Sequence, residues 1–460
     1  MSTMIKNLTI SLIVVIQTLS VSAQLFEGPK VHVPLQSHPD SARHFGRYVA
    51  IDGEIAVVGT SFDIKDDQKM AYVHIYQNNN NDSNSWIEVK KIVSPEGWRD
   101  EFCRSVAISG DNIIVGVPGY IGGQSMINSA YIYSRNKGGQ DNWGLERQLF
   151  SKDSIPDIQF GNSVDIWGDL AIVGAPFEGI RTRYSYNGAA YIYNRNQNGK
   201  NKWGLEAKLV IPNCFSQEYF GNCVRISGDV ALVGTSHAAN YAGLWSEVYI
   251  YQRDLGGKNN WGLAKIIGKD SLERYSFSFD LDFRNPIDVS DNYVIIGQVY
   301  GSMNKEKKES MVLIFEKDKG GINNWGLAKV LEIPDTSKSA SYFGCSVYLQ
   351  DDFAIIGAPR TDRICGMKYD SIQNRPNWSC TNIYSSIYVF NKDEGGKDNW
   401  GLVSEITNPD STLKTYFGVA TGISGNNLIV GTNVTWLKPQ QGIFIFTIKV
   451  QQKRINGNSG

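Results

Sequence analysis

The sequence predicts an all-β protein: a seven-bladed β-propeller of four-stranded antiparallel blades, with the N-terminal strand closing the last blade. Three observations predict this fold. A Phe followed by Gly fourteen residues later recurs seven times, and a phrase of the type "GGKDNWGL" recurs five times. A lone strand-like segment also precedes the first copy, whereas the last copy ends one strand short. Recurrence of this kind indicates repeated supersecondary units.

The Phe/Gly spacing is constant inside each unit, while the distance between units varies from 57 to 74 residues. A fixed interior with variable joins is typical of repeated units. The seven pairs are Phe45/Gly59, Phe102/Gly116, Phe160/Gly174, Phe220/Gly234, Phe283/Gly297, Phe343/Gly357 and Phe417/Gly431.

Each unit is predicted to contain four strands, most clearly in the copy that begins at Phe160. "SVDI" alternates, "LAIVGAP" is a buried apolar run, and "AAYIYNRN" and "WGLEAKLVI" follow. The recurrent glycine phrase is then the turn between the third and fourth strands. We expect its tryptophan to pack against the neighbouring unit rather than to form an aromatic ligand-binding ladder. These tryptophans are Trp86, Trp143, Trp203, Trp261, Trp325 and Trp400.

The ends of the repeat region complement each other. The seventh copy stops at its third strand, "GIFIFTIKV", whereas "GPKVHVPL" at 28–35 is a strand without a unit of its own. We expect residues 28–35 to complete the last sheet, because closure removes exposed sheet edges.

The "FG…GAP" wording resembles the FG-GAP repeat, the unit of the seven-bladed propeller at the N-terminus of integrin alpha subunits. The resemblance covers essentially the whole of the mature chain. Several integrin blades carry a calcium loop between strands one and two, but here that connection is only "SGD", "WGD", "SGN" or "QDD". Because calcium needs six to eight oxygen ligands, no calcium, other metal or cofactor is predicted. Asp111, Asp169 and Asp229 are expected to bond backbone amides in these turns.

The N-terminus has the pattern of a secretory signal peptide. Lys6 precedes the apolar run "LTISLIVVIQTL", and "VSA" ends at residue 23. A membrane anchor is the alternative, but the run is short for a span. The predicted organisation is a signal peptide at 1–23, the propeller at 24–450 and a polar tail at 451–460. The mature chain is expected to be extracellular and to lack a transmembrane segment.

Composition and motifs argue against several functions. The formal net charge is −1 with mixed signs, so no nucleic-acid partner is predicted. None of the five histidines has metal-ligand spacing, and no G-x-S-x-G elbow occurs. We therefore nominate no catalytic, cofactor-binding or metal-binding residue. A hydrolase with its site at the channel mouth remains an alternative.

The six cysteines fit an oxidising compartment. Cys365 and Cys380 bracket the longest insertion and are the preferred disulfide pair. Cys214 and Cys223 are a weaker second pair, because spacing alone does not fix connectivity. Glycosylation sequons, which act only in a eukaryotic host, stand at Asn81, Asn377 and Asn433.

The connections predicted on one face of the ring hold most of the length variation, and the longest of them spans 360–386. Insertions on one face of a repeat protein often mark its binding face. The sequence therefore predicts a secreted, non-catalytic binding module for an extracellular protein or a surface glycan. A structural component of an extracellular coat or matrix is the second reading. The candidate partner-binding residues are Arg360, Arg363, Tyr369, Arg375 and Trp378.

Overall fold

All the regular elements in the described part of the chain are β-strands. The structure is a computed structural model. It describes residues 30–32, 45–65, 68–78, 86–95, 102–119, 128–151, 158–179, 187–211, 218–236, 246–268, 275–277, 286–301, 310–333, 342–359, 364–370, 375–381, 385–409, 416–432 and 443–447. The predicted signal peptide (1–23) and polar tail (451–460) lie outside these residues.

The N-terminal half begins with the short strand β1 and continues as four-stranded antiparallel sheets of consecutive strands. In each sheet the turns joining strands one to two and three to four lie at the same edge. The strands are β1 (Lys30–His32); β2 (Tyr48–Asp52), β3 (Ile55–Lys65), β4 (Gln68–Asn78), β5 (Trp86–Val93); β6 (Ser105–Ser109), β7 (Asn112–Val117), β8 (Ser129–Ser134), β9 (Gly144–Phe150); β10 (Ser163–Trp167), β11 (Leu170–Ala175), β12 (Ala189–Asn194), β13 (Gly204–Leu209); β14 (Cys223–Ser227), β15 (Val230–Gly234), β16 (Val248–Arg253) and β17 (Trp261–Ile267).

The C-terminal half is less regular, because its sheets contain an extra strand, an inserted hairpin and a borrowed strand. Its strands are β18 (Tyr275–Phe277), β19 (Ile287–Val289), β20 (Tyr293–Gly301), β21 (Ser310–Lys317), β22 (Trp325–Leu331); β23 (Ser346–Gln350), β24 (Phe353–Ala358), β25 (Ile364–Asp370), β26 (Arg375–Thr381), β27 (Ser386–Asn391), β28 (Gly401–Thr407); β29 (Ala420–Ser424), β30 (Asn427–Gly431) and β31 (Ile443–Thr447).

The prediction of seven four-stranded blades is wrong: the described residues form six four-stranded blades, not seven. The segment 275–331 forms a five-stranded sheet instead, in which β18 and β19 both pair with β20. The physical reason is the length of β20, whose nine residues shift register between Ile296 and Val299. One part of β20 therefore pairs with β19, and the part beyond the shift pairs with β18.

The expected pairing of the N-terminal strand with the last sheet is confirmed. Lys30 lies opposite Thr447 and His32 opposite Ile445 in an antiparallel ladder. The sheet that contains both strands has the order β1-β31-β30-β29. Its first inner strand, β29, lies against β2 of the first complete sheet. The sheets thus form a closed ring.

The Phe/Gly spacing has a steric cause. A Cβ atom added at Gly174 would collide with the carbonyl oxygen of Gly221, the residue after Phe220 in the next unit. The same relation joins Gly431 to Gly46 across the closure of the ring. Gly221 itself has φ +92°, a conformation that favours glycine. The glycine of the "GAP" phrase meets the glycine of the next "FG" phrase in this way at five junctions, whereas at Gly59 the neighbour is Cys103.

The core lies between adjacent sheets, and the predicted packing role of the repeated tryptophans is confirmed. All six are buried, and Trp325 is fully inaccessible to solvent. The asparagine before the tryptophan stabilises the turn and joins two units. In the turn at 256–260, Asn260 donates to the carbonyl oxygen of Gly256, and in the next such turn Asn324 accepts a hydrogen bond from Lys265 of the preceding unit. The recurrence of the glycine phrase therefore reflects folding rather than catalysis.

Candidate functional site

The inner strands of the ring surround a cavity of about 780 Å³. In six of the seven units the residue five positions after the repeat Phe lines this space, and its identity changes around the ring. Two units contribute only alanine, whereas four consecutive units contribute polar or charged side chains. The cavity lining is therefore apolar at this position in two units and polar or charged in four consecutive units. These lining residues are Ala50, Ala107, Asp165, Arg225, Asp288 and Tyr348.

The polar side of the cavity is a connected Asp–Arg–Asp arrangement. Arg225 Nε lies 3.3 Å from Asp288 Oδ1, and both side chains are nearly buried. Asp288 Oδ2 accepts a hydrogen bond from the backbone N–H of Leu349 at 2.7 Å. Asp165 Oδ2 accepts the equivalent bond from Ile226 at 2.9 Å. Each aspartate thus bonds to the inner strand of the next unit, which fixes the orientation of its carboxylate.

Burial dominates the protonation of these carboxyl groups. Desolvation raises the pKa of Asp288 to about 7, although Arg225 and the Leu349 N–H act in the opposite direction. The pKa of Asp165 is also raised by burial and lowered in part by Arg225. A ligand at neutral pH therefore meets an Asp288 carboxyl that exchanges its proton in the physiological range.

The raised pKa of Asp288 predicts a pH-dependent stability difference. The folded state holds the proton above the usual pKa of an aspartate, so the contribution of Asp288 to the free energy of unfolding falls as pH rises from about 4 through 7. Asp288→Asn cannot ionise. We expect the melting temperature of Asp288→Asn, relative to the wild type, to increase between pH 4 and pH 7.5. A constant difference across that range, measured by calorimetry, would contradict this assignment.

The hairpins between first and second strands form one face of the ring, here named the hairpin face (Gly53, Gly110, Gly168, Gly228 and Gly425). Side chains tie neighbouring hairpins together around this face. Asp52 accepts the N–H of Gly110 at 2.6 Å, Ser109 accepts that of Gly168 at 3.0 Å, and Ser424 accepts that of Gly53 at 2.8 Å. These hydrogen bonds restrain the short hairpins relative to one another.

Trp167 occupies the place of Asp52, Ser109 and Ser424 in the unit that begins at Phe160. The tryptophan side chain has no oxygen that could accept the N–H of Gly228, so it cannot form the hydrogen bond that joins neighbouring hairpins elsewhere on this face. Its side chain lines the cavity and is 48% exposed. Asp165 lies two residues earlier on β10, and residues two apart share a face of a strand. Trp167 and Asp165 therefore both face the channel.

The hairpin aspartates act differently from the sequence expectation. Asp111 Oδ1 and Asp169 Oδ1 face Arg135 and Arg195 at 3.9 and 3.6 Å. They pair with the arginine that follows the third strand of their own unit rather than with backbone amides. The backbone carbonyls of Asp111, Asp169 and Asp229 accept the N–H groups at those third-strand ends.

The five candidate partner-binding residues fall on the longest insertion. Arg360 and Arg363 lie outside the described residues. Tyr369 is on β25, and Arg375 and Trp378 are on β26. These two strands form a separate two-stranded sheet between β24 and β27. The structure thus places three of the five positions on one hairpin.

The cysteine and glycosylation predictions have mixed outcomes. In the inserted hairpin Cys365 lies directly opposite Cys380 in the strand register. The weaker Cys214–Cys223 pair is wrong, because Cys223 is a free, buried cysteine at the start of β14, packed among apolar side chains; Cys214 lies outside the described residues. Asn81 and Asn433 also lie outside them, and Asn377 is on β26.

Three cysteines, Cys103, Cys223 and Cys345, are free and buried. Desolvation raises the pKa of all three thiols, that of Cys223 to about 12. Because the thiolate is the reactive form, we expect these thiols to react with an aromatic disulfide reagent only after unfolding. Mass mapping of the labelled cysteines with and without denaturant checks this. Rapid labelling of Cys223 in the native protein would contradict its burial.

The described residues contain neither a metal-site cluster nor a membrane-spanning helix. No cluster of three or more His, Cys, Asp or Glu side chains with the arrangement of a metal site occurs among them. Nor does this part of the chain contain a helix of the length and apolar character needed to cross a membrane.

The fold and channel define a class of protein: a β-propeller built from repeated units that present short hairpins on one face. A model of the FG-GAP repeat matches residues 86–133 and 143–193. These residues of the chain therefore contain FG-GAP repeats. The finer likeness to the integrin alpha-subunit propeller is not confirmed by the comparisons, and no curated protein matches the sequence.

Solved structures with a similar arrangement are distant. The β-propeller domain of the Trilobed protease from Pyrococcus furiosus, described as having an open velcro topology, has 8% identity and a TM-score of 0.44, covering 92% of this chain and 100% of that chain. Sqt1 from Chaetomium thermophilum has 9% identity and a TM-score of 0.46, covering 89% of this chain and 97% of that chain. Likenesses this weak carry no argument about this protein.

The channel residues belong to no motif along the chain and were not predicted from the sequence. Asp165, Arg225, Asp288 and Tyr348 occupy one column of the repeat alignment, five residues after each Phe. The residue at this position of the repeat varies in charge from unit to unit, whereas the residues directly before and after it on the strand are apolar. The signal that identifies these residues is the change from alanine to charged or polar residues at this one position of the aligned units.

Proposed function

We propose that the protein is a secreted binding module whose propeller holds one inserted hairpin for contact with an extracellular protein or a surface glycan. One observation carries the proposal: β25 and β26 pair only with each other among the described strands, although they interrupt a regular four-stranded blade. A blade needs no such insertion to fold, since the neighbouring blades connect their second and third strands without it. Such an addition is typical of binding loops on a rigid scaffold.

The position of the hairpin supports this function. It joins the end of β24 to the start of β27, at the edge of the blade opposite the hairpin face. The hairpin face itself is occupied by short turns that bond to one another. The insertion therefore lies on the side of the ring opposite the hairpin face. On that side a macromolecular partner would not have to displace hydrogen-bonded hairpins.

The composition of the hairpin suits recognition. Tyr369 and Arg375 lie on opposite strands near its tip, and Trp378 is paired in register with Met367. Tyrosine, arginine and tryptophan are the residues most enriched at the energetic centres of interfaces. We include in the proposal a Cys365–Cys380 disulfide. Directly opposed residues of an antiparallel pair have Cα atoms roughly 4.5–5.5 Å apart, within the range that a disulfide spans.

The test replaces residues 364–381 with a short Gly-Ser linker. We expect this variant to keep the melting temperature of the wild type but to lose capture of a partner from the native extracellular fluid. Tyr369→Ala/Trp378→Ala tests the same surface without shortening the chain. Phe150→Ala, which removes an exposed aromatic from β9, is the matched control. Unchanged capture by the linker variant would refute the proposal and favour a structural role for the repeats.

A further inference from the structure

The channel end on the hairpin face combines features that the repeat does not need for folding. This end, here named the channel mouth, consists of Asp165, Trp167, Arg225, Asp288 and Tyr348. The six repeated tryptophans are buried between sheets, whereas Trp167 is 48% exposed beside the cavity. Trp167 also replaces a side chain that would tie two hairpins. It therefore exposes a large apolar surface where a polar acceptor would have stabilised the ring.

Hydrogen-bonding groups lie next to this aromatic surface. The described contacts of Arg225 use Nε toward Asp288 and Nη1 toward the carbonyl oxygen of Val224. None of them uses Nη2, and none of the described contacts uses the hydroxyl of Tyr348. Asp165 and Asp288 are each held by a backbone N–H of the next unit. The channel mouth thus offers donors and acceptors whose orientation is fixed before a ligand arrives.

We propose that the channel mouth binds the terminal residue of a neutral saccharide, with the sugar ring stacked on Trp167 and its hydroxyls bonded to Asp165, Arg225 and Tyr348. A pyranose has an apolar face of C–H groups and an edge of adjacent hydroxyls. An aromatic ring matches the face, and carboxylate and guanidinium groups bond to pairs of neighbouring hydroxyls. The cavity of about 780 Å³ lies within the usual range for small-ligand sites.

The charges around the cavity favour a neutral ligand over an anion. Besides the channel mouth, its charged lining residues are Asp52, Asp291, Asp351, Asp352 and Lys392. This excess of carboxylates repels sulfated or sialylated glycans. A cation is less well matched, because Arg225 lies between the two inner aspartates. The exposed aspartates of the outer turns are also surrounded by water, which weakens their attraction for a cation.

The test uses the full mature chain on an array of neutral, sialylated and sulfated oligosaccharides, followed by calorimetry with the best neutral binder in solution. We expect neutral saccharides to bind and Trp167→Ala to weaken binding roughly tenfold or more. Trp167→Phe should retain most of the affinity, because it keeps an aromatic face. Phe150→Ala is the matched control for loss of an exposed aromatic, and we expect no change.

The outcomes separate this proposal from the proposed function. The saccharide site is refuted if no neutral saccharide binds or if Trp167→Ala binds it as well as the wild type. It is also refuted if arginine amide, a probe for a cationic ligand, binds and neutral saccharides do not. The linker variant of residues 364–381 should still bind the saccharide. If that variant loses the saccharide while Trp167→Ala retains it, the glycan is recognised by the inserted hairpin and the channel mouth is not the site.

Discussion

Gly174→Ala is expected to lower the free energy of unfolding by roughly 3 kcal/mol or more, through overpacking at a junction between units. The added Cβ would meet the carbonyl oxygen of Gly221 and the hydroxyl oxygen of Ser163. A backbone carbonyl cannot move aside as a flexible side chain can, so the sheets must separate. Denaturant unfolding followed by circular dichroism measures the loss.

Gly168→Ala is the matched control for this substitution. Gly168 has φ +56° and no neighbouring heavy atom within 4 Å of an added Cβ. Its substitution therefore costs only the strain of a left-handed alanine, about 1 kcal/mol. Equal losses for the two variants would show that the junction between units is not sterically fixed, and the account of the Phe/Gly spacing would fail.

Trp203→Ala is expected to cost about 3–5 kcal/mol, the usual range for removing a buried aromatic side chain. Trp203 is 1% exposed and packs in a core cluster with Leu149, Ile166 and Val173. This cluster joins two successive sheets, so the cavity left by the substitution lies in the interface that holds the ring together. Thermal and denaturant unfolding both report the loss.

Trp167→Ala provides the comparison within the same unit. Since Trp167 is half exposed at the channel mouth, its removal should change the free energy of unfolding by less than about 0.5 kcal/mol. A large loss at Trp167, or a small one at Trp203, would reverse the roles assigned to these two tryptophans. The same Trp167 variant then serves for saccharide binding with its stability known.

The repeated parts of the fold were predictable because a contact that recurs in each unit requires the same residue type at the same position of each unit. Gly174 and Gly431 recur because a carbonyl of the next unit occupies the space of their side chains. The closing strand was predictable for a different reason: the last copy lacked a strand, and residues 28–35 could supply it. Both inferences depend on equivalence among the units.

The errors arose where equivalence fails. The unit after Phe283 has "FRNPIDVS" in place of the usual "FGxSVxIS" pattern, and its second strand runs past Gly297 to Gly301. β18 pairs with this extension of β20, and no pattern in the local sequence predicts that pairing. Trp167 was missed because it lies in a short hairpin outside the recurrent "NWGL" phrase and belongs to no motif. Its exposure beside the channel depends on the assembled ring.

The pairing of β1 with β31 has a consequence for how the chain folds. Gly53 bonds to Ser424, 371 residues away, and the sheet shared by the two strands is completed only by segments from far-apart parts of the sequence. During synthesis the first strand must remain unpaired until the last one emerges from the ribosome. Such distant contacts slow folding, and the waiting edge is a surface to which another nascent chain could add.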